Sequence, residues 1–259
     1  MSPDEQFRLE CDREIVECGA DKTLSRLTRQ WMDSVNAKKY SYHFRWMGRP
    51  IIQYPQDIVA MQELIWEVRP DLIIETGIAH GGSLVMSASM LAMLDMCDAI
   101  QAGTTLDCVN SGRRVLGIDI DIRAHNRAAI ETHPMASRIQ MIQGSSIDSS
   151  IIEQVTAVAA RHKRIMVCLD SMHTHGHVLA ELEAYAPLVS KGSYCVVFDT
   201  VIQDMPAGSF KDRPWDVGNN PKTAVWEYLK GHPEFEIETR VQNKLLITVA
   251  PDGFLKRIG

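Results

Sequence analysis

The chain has no run of lysines or arginines longer than two, no closely spaced pair of cysteines and no low-complexity tract or internal repeat. Its 27 basic and 33 acidic residues give a formal net charge of -6. Without a basic stripe it has little with which to displace the counterions of a phosphate backbone, so no nucleic-acid partner is expected. A small molecule is the expected substrate class. No apolar stretch is expected to reach the roughly 18 residues of a membrane span, and "MSPDEQFRLE" lacks the basic start and apolar core of a secretory signal. The expectation is a cytoplasmic protein with no membrane partner. The six cysteines stand singly, and Cys168 in "IMVCLD" and Cys195 in "SYCVVFD" lie inside apolar runs where a thiol behaves as a small hydrophobe. Reduced, structural cysteines follow.

What the 259 residues do contain is enough apolar material, 45% by count, for a large core. From residue 57 onward, short β-rich runs alternate with helical patterns, the mark of βα units around a mainly parallel sheet. The segment "PQDIVAMQELIWEVRP" spaces Ile58, Met61, Leu64, Ile65 and Val68 as one helix face. Strands are expected over 71–77, 113–120, 138–144, 164–170 and 193–199, each apolar enough to be covered on both faces. "FEIETRV" and "NKLLITVAPDGFLKRI" read as an antiparallel pair at the sheet edge. The expected fold is α/β, a doubly wound, mainly parallel seven-stranded sheet with an antiparallel edge strand, spanning residues 51–259. Residues 1–50, with an amphipathic "TLSRLTRQWMDSV" and an aromatic-rich "YSYHFRWMGRPI", read as a helical arm that packs on the domain or a neighbouring subunit, or closes as a lid. The arm makes a homo-oligomer the expected assembly.

In an open α/β sheet, ligands bind beyond the carboxyl ends of the strands. At the first such end stands "ETGIAHGGS", where Gly77, Gly81 and Gly82 let the backbone approach a ligand and Ser83 can cap the next helix. The second ends in Asp119, whose carboxylate can accept both hydrogen bonds of a ribose diol. The third, "QGSSID", offers Ser145, Ser146 and Asp148 near a base. Helix capping accounts for each alone, but not as readily for three in succession.

The spacing in "ETGIAHGG" is not that of a dinucleotide fingerprint. Followed by an acid at the end of the second strand, it resembles class I S-adenosylmethionine-dependent methyltransferases, a Rossmann-like fold. That likeness implies that Glu75 and Gly77 lie under the methionine part of S-adenosylmethionine and that Asp119 holds its ribose. The stretches "PDLIIETGIAHGGS", "IDIDIRAHNRAAIETHP", "GSSID", "LDSMHTHGHVLAELEAYAPLV", "GSYCVVFDT", "NNPKTAV" and "NKLLITVAPDGFLKR" together look like the cephalosporin hydroxylase family, which also holds rhamnosyl and macrolide sugar O-methyltransferases. With the loop residues, the expected cofactor contacts are Glu75, Gly77, His80, Gly81, Ser83, Asp119, Ser146 and Asp170. The activity implied is methyl transfer to a hydroxyl of a sugar or sugar-bearing natural product.

Asp170 and Asp199 end the fourth and fifth of these strands. Two carboxylates at adjacent strand ends repel unless they share a proton or a cation, and oxygen ligands suit Mg²⁺. The resemblance implies such a cation. Phe198 stands where several relatives carry a further acid, which leaves Thr200, Asp204 or water as the third ligand; Asp204 is the choice made here. His173, three residues beyond Asp170, is where catechol-type relatives place their base, and a neutral imidazole suits that task. His175 and His177 are expected to cap the next helix or to face solvent. The long segment 200–221 supplies Arg213, Trp215, Asp216 and Asn219, and from it Arg213, Trp215 and Asn219 are the expected acceptor contacts. "QYPQD", residues 53–57, can close over the cofactor from the other side. Two other readings stand beside this one: a cofactor-binding accessory protein, prompted by Phe198, and an iron oxygenase using Asp170 with the histidines of "HTH".

Overall fold

The computed structural model describes residues 1–108 and 111–259. Two helices form the N-terminal arm, α1 (Pro3–Ala20) and α2 (Lys22–Asn36). Each begins where the sequence supplies a cap: Ser2 and Glu5 form a reciprocal capping box, and the Asp21 carboxylate accepts the N–H groups of Thr23 and Leu24. No residue of α1 is buried, and an ion pair between Arg240 and Asp12 ties it to the C-terminal part of the chain. The arm is fastened further along by its aromatics, with Trp31 edge-on to Tyr40 at 5.3 Å and Tyr40 against Phe44 and Tyr54 at 5.0 and 5.6 Å. A hairpin of β1 (Phe44–Trp46) and β2 (Arg49–Ile51) leads into the main unit.

The remaining elements are α3 (Pro55–Val68), β3 (Leu72–Thr76), α4 (Gly82–Ala102), β4 (Arg114–Asp119), α5 (Ala124–Glu131), β5 (Ile139–Gln143), α6 (Ser149–Ala159), β6 (Ile165–Leu169), α7 (His175–Tyr185), β7 (Tyr194–Val197), α8 (Pro221–Tyr228), β8 (Phe235–Ile237), α9 (Thr239–Leu245) and β9 (Phe254–Arg257). Alternate residues of the central strands face opposite ways. Ile73, Val115, Met166 and Val196 pack with α3 and α4, while Ile74, Leu116, Val167 and Val197 pack with α6, α7 and α8. This is the doubly wound arrangement, with a core on each side of one sheet. Cys168 and Cys195 are buried in it, and among the described residues every cysteine is free.

The sheet order is β5-β4-β3-β6-β7-β9-β8. Strands β5, β4, β3, β6 and β7 are mutually parallel. The chain winds outward one way from β3 and the other way from β6, so the crevice opens between their carboxyl ends. The antiparallel pair stands at the sheet edge, as the sequence suggests, and one strand of it runs against both its neighbours. That strand is β9, inserted between β7 and the edge strand β8. The pair is shorter than expected: after three residues of β8, Glu238 caps a helix, and "TRVQNKL" coils as α9 until Leu246 at φ +59° ends it. The expectation that no segment could match a membrane span in length needs correcting too. Helix α4 is 21 residues long and apolar enough to cross one, yet it lies against the sheet and α3, and its Asp95 and Asp98 hold Arg113, Arg138 and Arg69.

Candidate active site

A cleft of about 890 Å³ runs along the carboxyl edge of the sheet. Its floor carries Asp170, which follows β6, and Asp199, which follows β7. His173 lies beside them, its Nε2 at 3.0 Å from an Asp199 carboxylate oxygen. One donor atom from each of Asp170, His173 and Asp199 lies within 4.8 Å of the other two. Burial, and after it the neighbouring charge of Asp199, pushes the Asp170 carboxyl well above its ordinary range. Gln53 donates from Nε2 to Asp170 Oδ2 at 3.3 Å. Asp199 itself adopts φ +56°, a left-handed conformation uncommon for a residue with a side chain.

The cluster therefore gathers His173 where the sequence reading put Asp204. Asp204 is turned away into an ion pair with Lys222 at 2.7 Å. Thr200 is also committed, its hydroxyl donating to the Pro251 carbonyl at 2.6 Å. The histidines of "HTH" do not converge. The ring of His175 meets Thr223 at 2.9 Å and Glu227 at 3.3 Å, so a site of two histidines and one carboxylate does not form around Asp170. His177 is neither a cap nor free in solvent: it lies beside Ser146, Ser171 and the fully buried Glu181.

The glycine turn lies at the end of β3. Gly77, at φ +88°, passes directly against the backbone of Asp170, and Gly81, at φ +79°, opens α4. Gly77 and His80 line the cleft. The Asp119 carboxylate accepts the N–H groups of Ile78, Ala79 and Asp121 at 2.8, 3.2 and 3.0 Å, so in this structure it braces the glycine turn. Ser146, 5% exposed, donates its hydroxyl to Glu181 at 2.5 Å. Ser83 donates to the buried Glu75 carboxylate. Beneath the cleft is an inner cavity of about 20 Å³ lined by Gln53, Asp57, Glu75, Ser83, Asp170 and Phe198, room for one water.

Burial pushes the Glu75 carboxyl up to about 7 from an ordinary 4.5. A carboxyl raised on folding binds protons more tightly in the native state, so its contribution is greatest below about pH 4.5 and declines as pH rises to about 7. Glu75→Gln keeps an oxygen to accept the Ser83 hydroxyl and removes this titration. Urea unfolding across that interval should show the wild type losing roughly 3 kcal/mol relative to the variant. Parallel pH profiles would refute the assignment.

Of the expected acceptor contacts, Arg213 and Trp215 line the cleft. Trp215 stands edge-on to His173 at 4.8 Å, and the Arg213 guanidinium lies 5.2 Å from the Trp215 ring. Asn219 is instead used within the protein, accepting the His175 N–H at 3.0 Å and donating to the Pro214 carbonyl at 2.9 Å. The sequence reading allowed the arm a place as a lid but named none of its residues, of which Asp33, Asn36, Lys39 and Tyr42 form part of the cleft wall. These residues carry no local signal, because only tertiary packing brings them to the sheet edge.

Residues 38–258 match the family profile described as rhamnosyl O-methyltransferase/CmcI. A rhamnosyl O-methyltransferase of Mycobacterium bovis (strain BCG / Pasteur 1173P2) is 29% identical over 217 residues, which cover 82% of this chain and 77% of the relative. The Mycobacterium leprae (strain TN) protein of the same name is 27% identical over 214 residues, covering 82% of each chain. Among solved structures, CmcI with Mg and SAM aligns at a TM-score of 0.53 and 19% identity, over 84% of this chain and 78% of that one. The apo form of a TDP-rhamnose 3'-O-methyltransferase of calicheamicin biosynthesis aligns at 0.51 and 15%, over 100% and 96%. At these identities the structures bear on the fold.

Proposed function

The chain belongs to the rhamnosyl O-methyltransferase/CmcI family, and we propose that it transfers the methyl group of S-adenosylmethionine to a hydroxyl of a sugar or glycoside, with a divalent cation at Asp170 and Asp199. The observation that supports this most directly is the placing of Asp170, His173 and Asp199 on the floor of a cleft large enough for two small molecules. The donor set fits the cation. Two carboxylates forced together favour a positive charge between them, and Mg²⁺ prefers their oxygens to imidazole nitrogen. The glycine turn fits a ligand pressed against backbone, since Gly77 and Gly81 adopt conformations that side chains disfavour. When bound, such a cation lowers the pKa of a coordinated hydroxyl.

The protein's own groups supply the rest. An ionised Asp199 carboxylate can only accept, so in the neutral form of the His173 ring the Nε2 that faces it carries the proton and Nδ1 keeps the lone pair. That lone pair takes the acceptor's proton. Asp199 then stabilises the imidazolium that results. Trp215, against the other side of His173, holds the ring in place and offers an apolar wall to the acceptor. The arm, through Asp33, Lys39 and Tyr42, shapes the opposite wall and so bears on which acceptor enters.

Calorimetric titration of S-adenosylhomocysteine, with Mg²⁺ and after chelation, tests the cofactor. Binding in both conditions, stronger with the cation, is expected; binding in neither would overturn the reading. For His173→Ala, turnover with a sugar acceptor should fall about 10²- to 10⁴-fold, with affinity for S-adenosylhomocysteine and Mg²⁺ nearly unchanged. Unaltered turnover would remove His173 from proton transfer. A loss confined to cation affinity would make it a ligand instead.

A further inference from the structure

Asp57 lies in the first turn of α3 and is 1% exposed. It lines no part of the cleft itself, though it shares the inner cavity beneath with Asp170. Its carboxylate accepts the Thr248 hydroxyl on one oxygen and the Val249 N–H at 3.0 Å on the other. Thr248 in turn accepts the Ala250 N–H at 3.0 Å, so the acid organises three consecutive residues. Those residues are not a strand and have no ladder of their own to fix them. Their other partners lie in the turn after β7: the Val249 carbonyl accepts the Val201 N–H at 3.1 Å, and the Pro251 carbonyl accepts the Thr200 hydroxyl at 2.6 Å. Between β7 and Val201 stands Asp199, in its left-handed conformation.

An unfavourable backbone conformation persists only where its surroundings enforce it. Here the enforcement comes from segment 248–251, and that segment is held by Asp57. We propose that Asp57 is a positioning residue that sets the direction of the Asp199 carboxylate, acting through Thr248 and Val249, and so prepares the cation site before any cation arrives. The proposal rests on the reading that Asp170 and Asp199 hold a cation. Removing the acid releases the 248–251 segment. The Asp199 turn then samples directions that do not face Asp170, and cation affinity drops while the glycine turn, on the other side of β6, is untouched.

The test is a Mn²⁺ titration followed by electron paramagnetic resonance on the full chain, beside calorimetry of S-adenosylhomocysteine in chelator. Wild type should bind Mn²⁺, and Asp199→Asn should abolish that binding. Asp57→Asn, which can satisfy one of the two donors but not both, should raise the Mn²⁺ dissociation constant about tenfold with S-adenosylhomocysteine affinity unchanged. Thr248→Val should shift it in the same direction, and Thr248→Ser, which keeps the hydroxyl, should restore the wild-type value. If Asp57→Asn does not fold, the two Thr248 variants decide the matter. Mn²⁺ binding lost in Asp199→Asn but unchanged in the Asp57 and Thr248 variants would overturn the positioning role alone. Absence of Asp199-dependent binding in wild type would overturn the cation reading and this proposal with it. Equal weakening of Mn²⁺ and S-adenosylhomocysteine binding would show that Asp57 supports the fold in general and would also overturn it.

Discussion

Asp170→Asn should make the cation-free protein more stable and the enzyme nearly inactive. The two effects have one origin. Asp170 sits at the cleft floor with its carboxyl pushed well above the ordinary range, by burial first and by the charge of Asp199 next. A folded-state pKa above the unfolded one means that stability is greatest at low pH and is lost as pH rises towards the folded value. Above the ordinary carboxylate range, therefore, the Asp170 carboxyl weighs against the folded state, and does so more as pH rises. Asparagine has nearly the same shape, can still accept from Gln53, and carries no charge. Urea unfolding in chelator should show the variant to be the more stable protein at pH 8. Added Mg²⁺ should stabilise wild type by mass action and leave the variant unmoved. Methyl transfer should fall on the order of 10³-fold, since several kcal/mol of transition-state stabilisation depend on the cation. A variant less stable than wild type in chelator would show that the carboxylates are not in conflict, and the chief argument for a cation would go with it.

Much of this was legible in the sequence because βα units write themselves locally. The five parallel strands from 71 to 199 end within one or two residues of the expected positions, since a doubly covered strand must be mostly apolar and a polar or glycine-bearing turn follows it. Asp170 and Asp199 could be paired for the same reason: adjacent strands with a common direction bring their carboxyl ends together. The errors arise where the outcome depends on a partner distant in sequence. Asp204 has every local credential of a ligand, but Lys222 takes it. Asn219 looks like a sugar contact, but the start of α7 takes its amide oxygen and the Pro214 carbonyl takes its amide nitrogen. "TRVQNKL" follows a β-rich run, yet only three residues of that run find a place beside β9, and the remainder coils. Asp57 reads in "QYPQD" as part of a segment that closes over the cofactor, and nothing near it in sequence announces Thr248 and Val249, 191 and 192 residues away.

The glycine turn gives the second large effect. Gly77→Ala should lower the melting temperature by roughly 10 °C, and the position explains why. At φ +88° an alanine pays about 1 kcal/mol for its backbone alone. The added carbon would also overlap the Asp170 carbonyl oxygen and stand 2.7 Å from its carbonyl carbon. Neither side can yield. The Asp170 N–H is bonded to the Thr76 carbonyl at 2.9 Å and the Gly77 N–H to the Ile118 carbonyl at 2.8 Å, so the clash falls across the pairing of β3 with β6 and β4 at the centre of the sheet. Overpacking of this kind adds about 1 to 3 kcal/mol. Gly103→Ala separates the two contributions. Gly103 ends α4 at φ +62°, with no described atom near its would-be Cβ, so that variant should show the backbone cost without the clash. Calorimetry should then find S-adenosylhomocysteine affinity intact in Gly103→Ala and lost in whatever Gly77→Ala remains folded at low temperature. Equal melting temperatures for the two variants would mean that β3 and β6 can part at their ends without cost, and that Gly77 serves only its own turn.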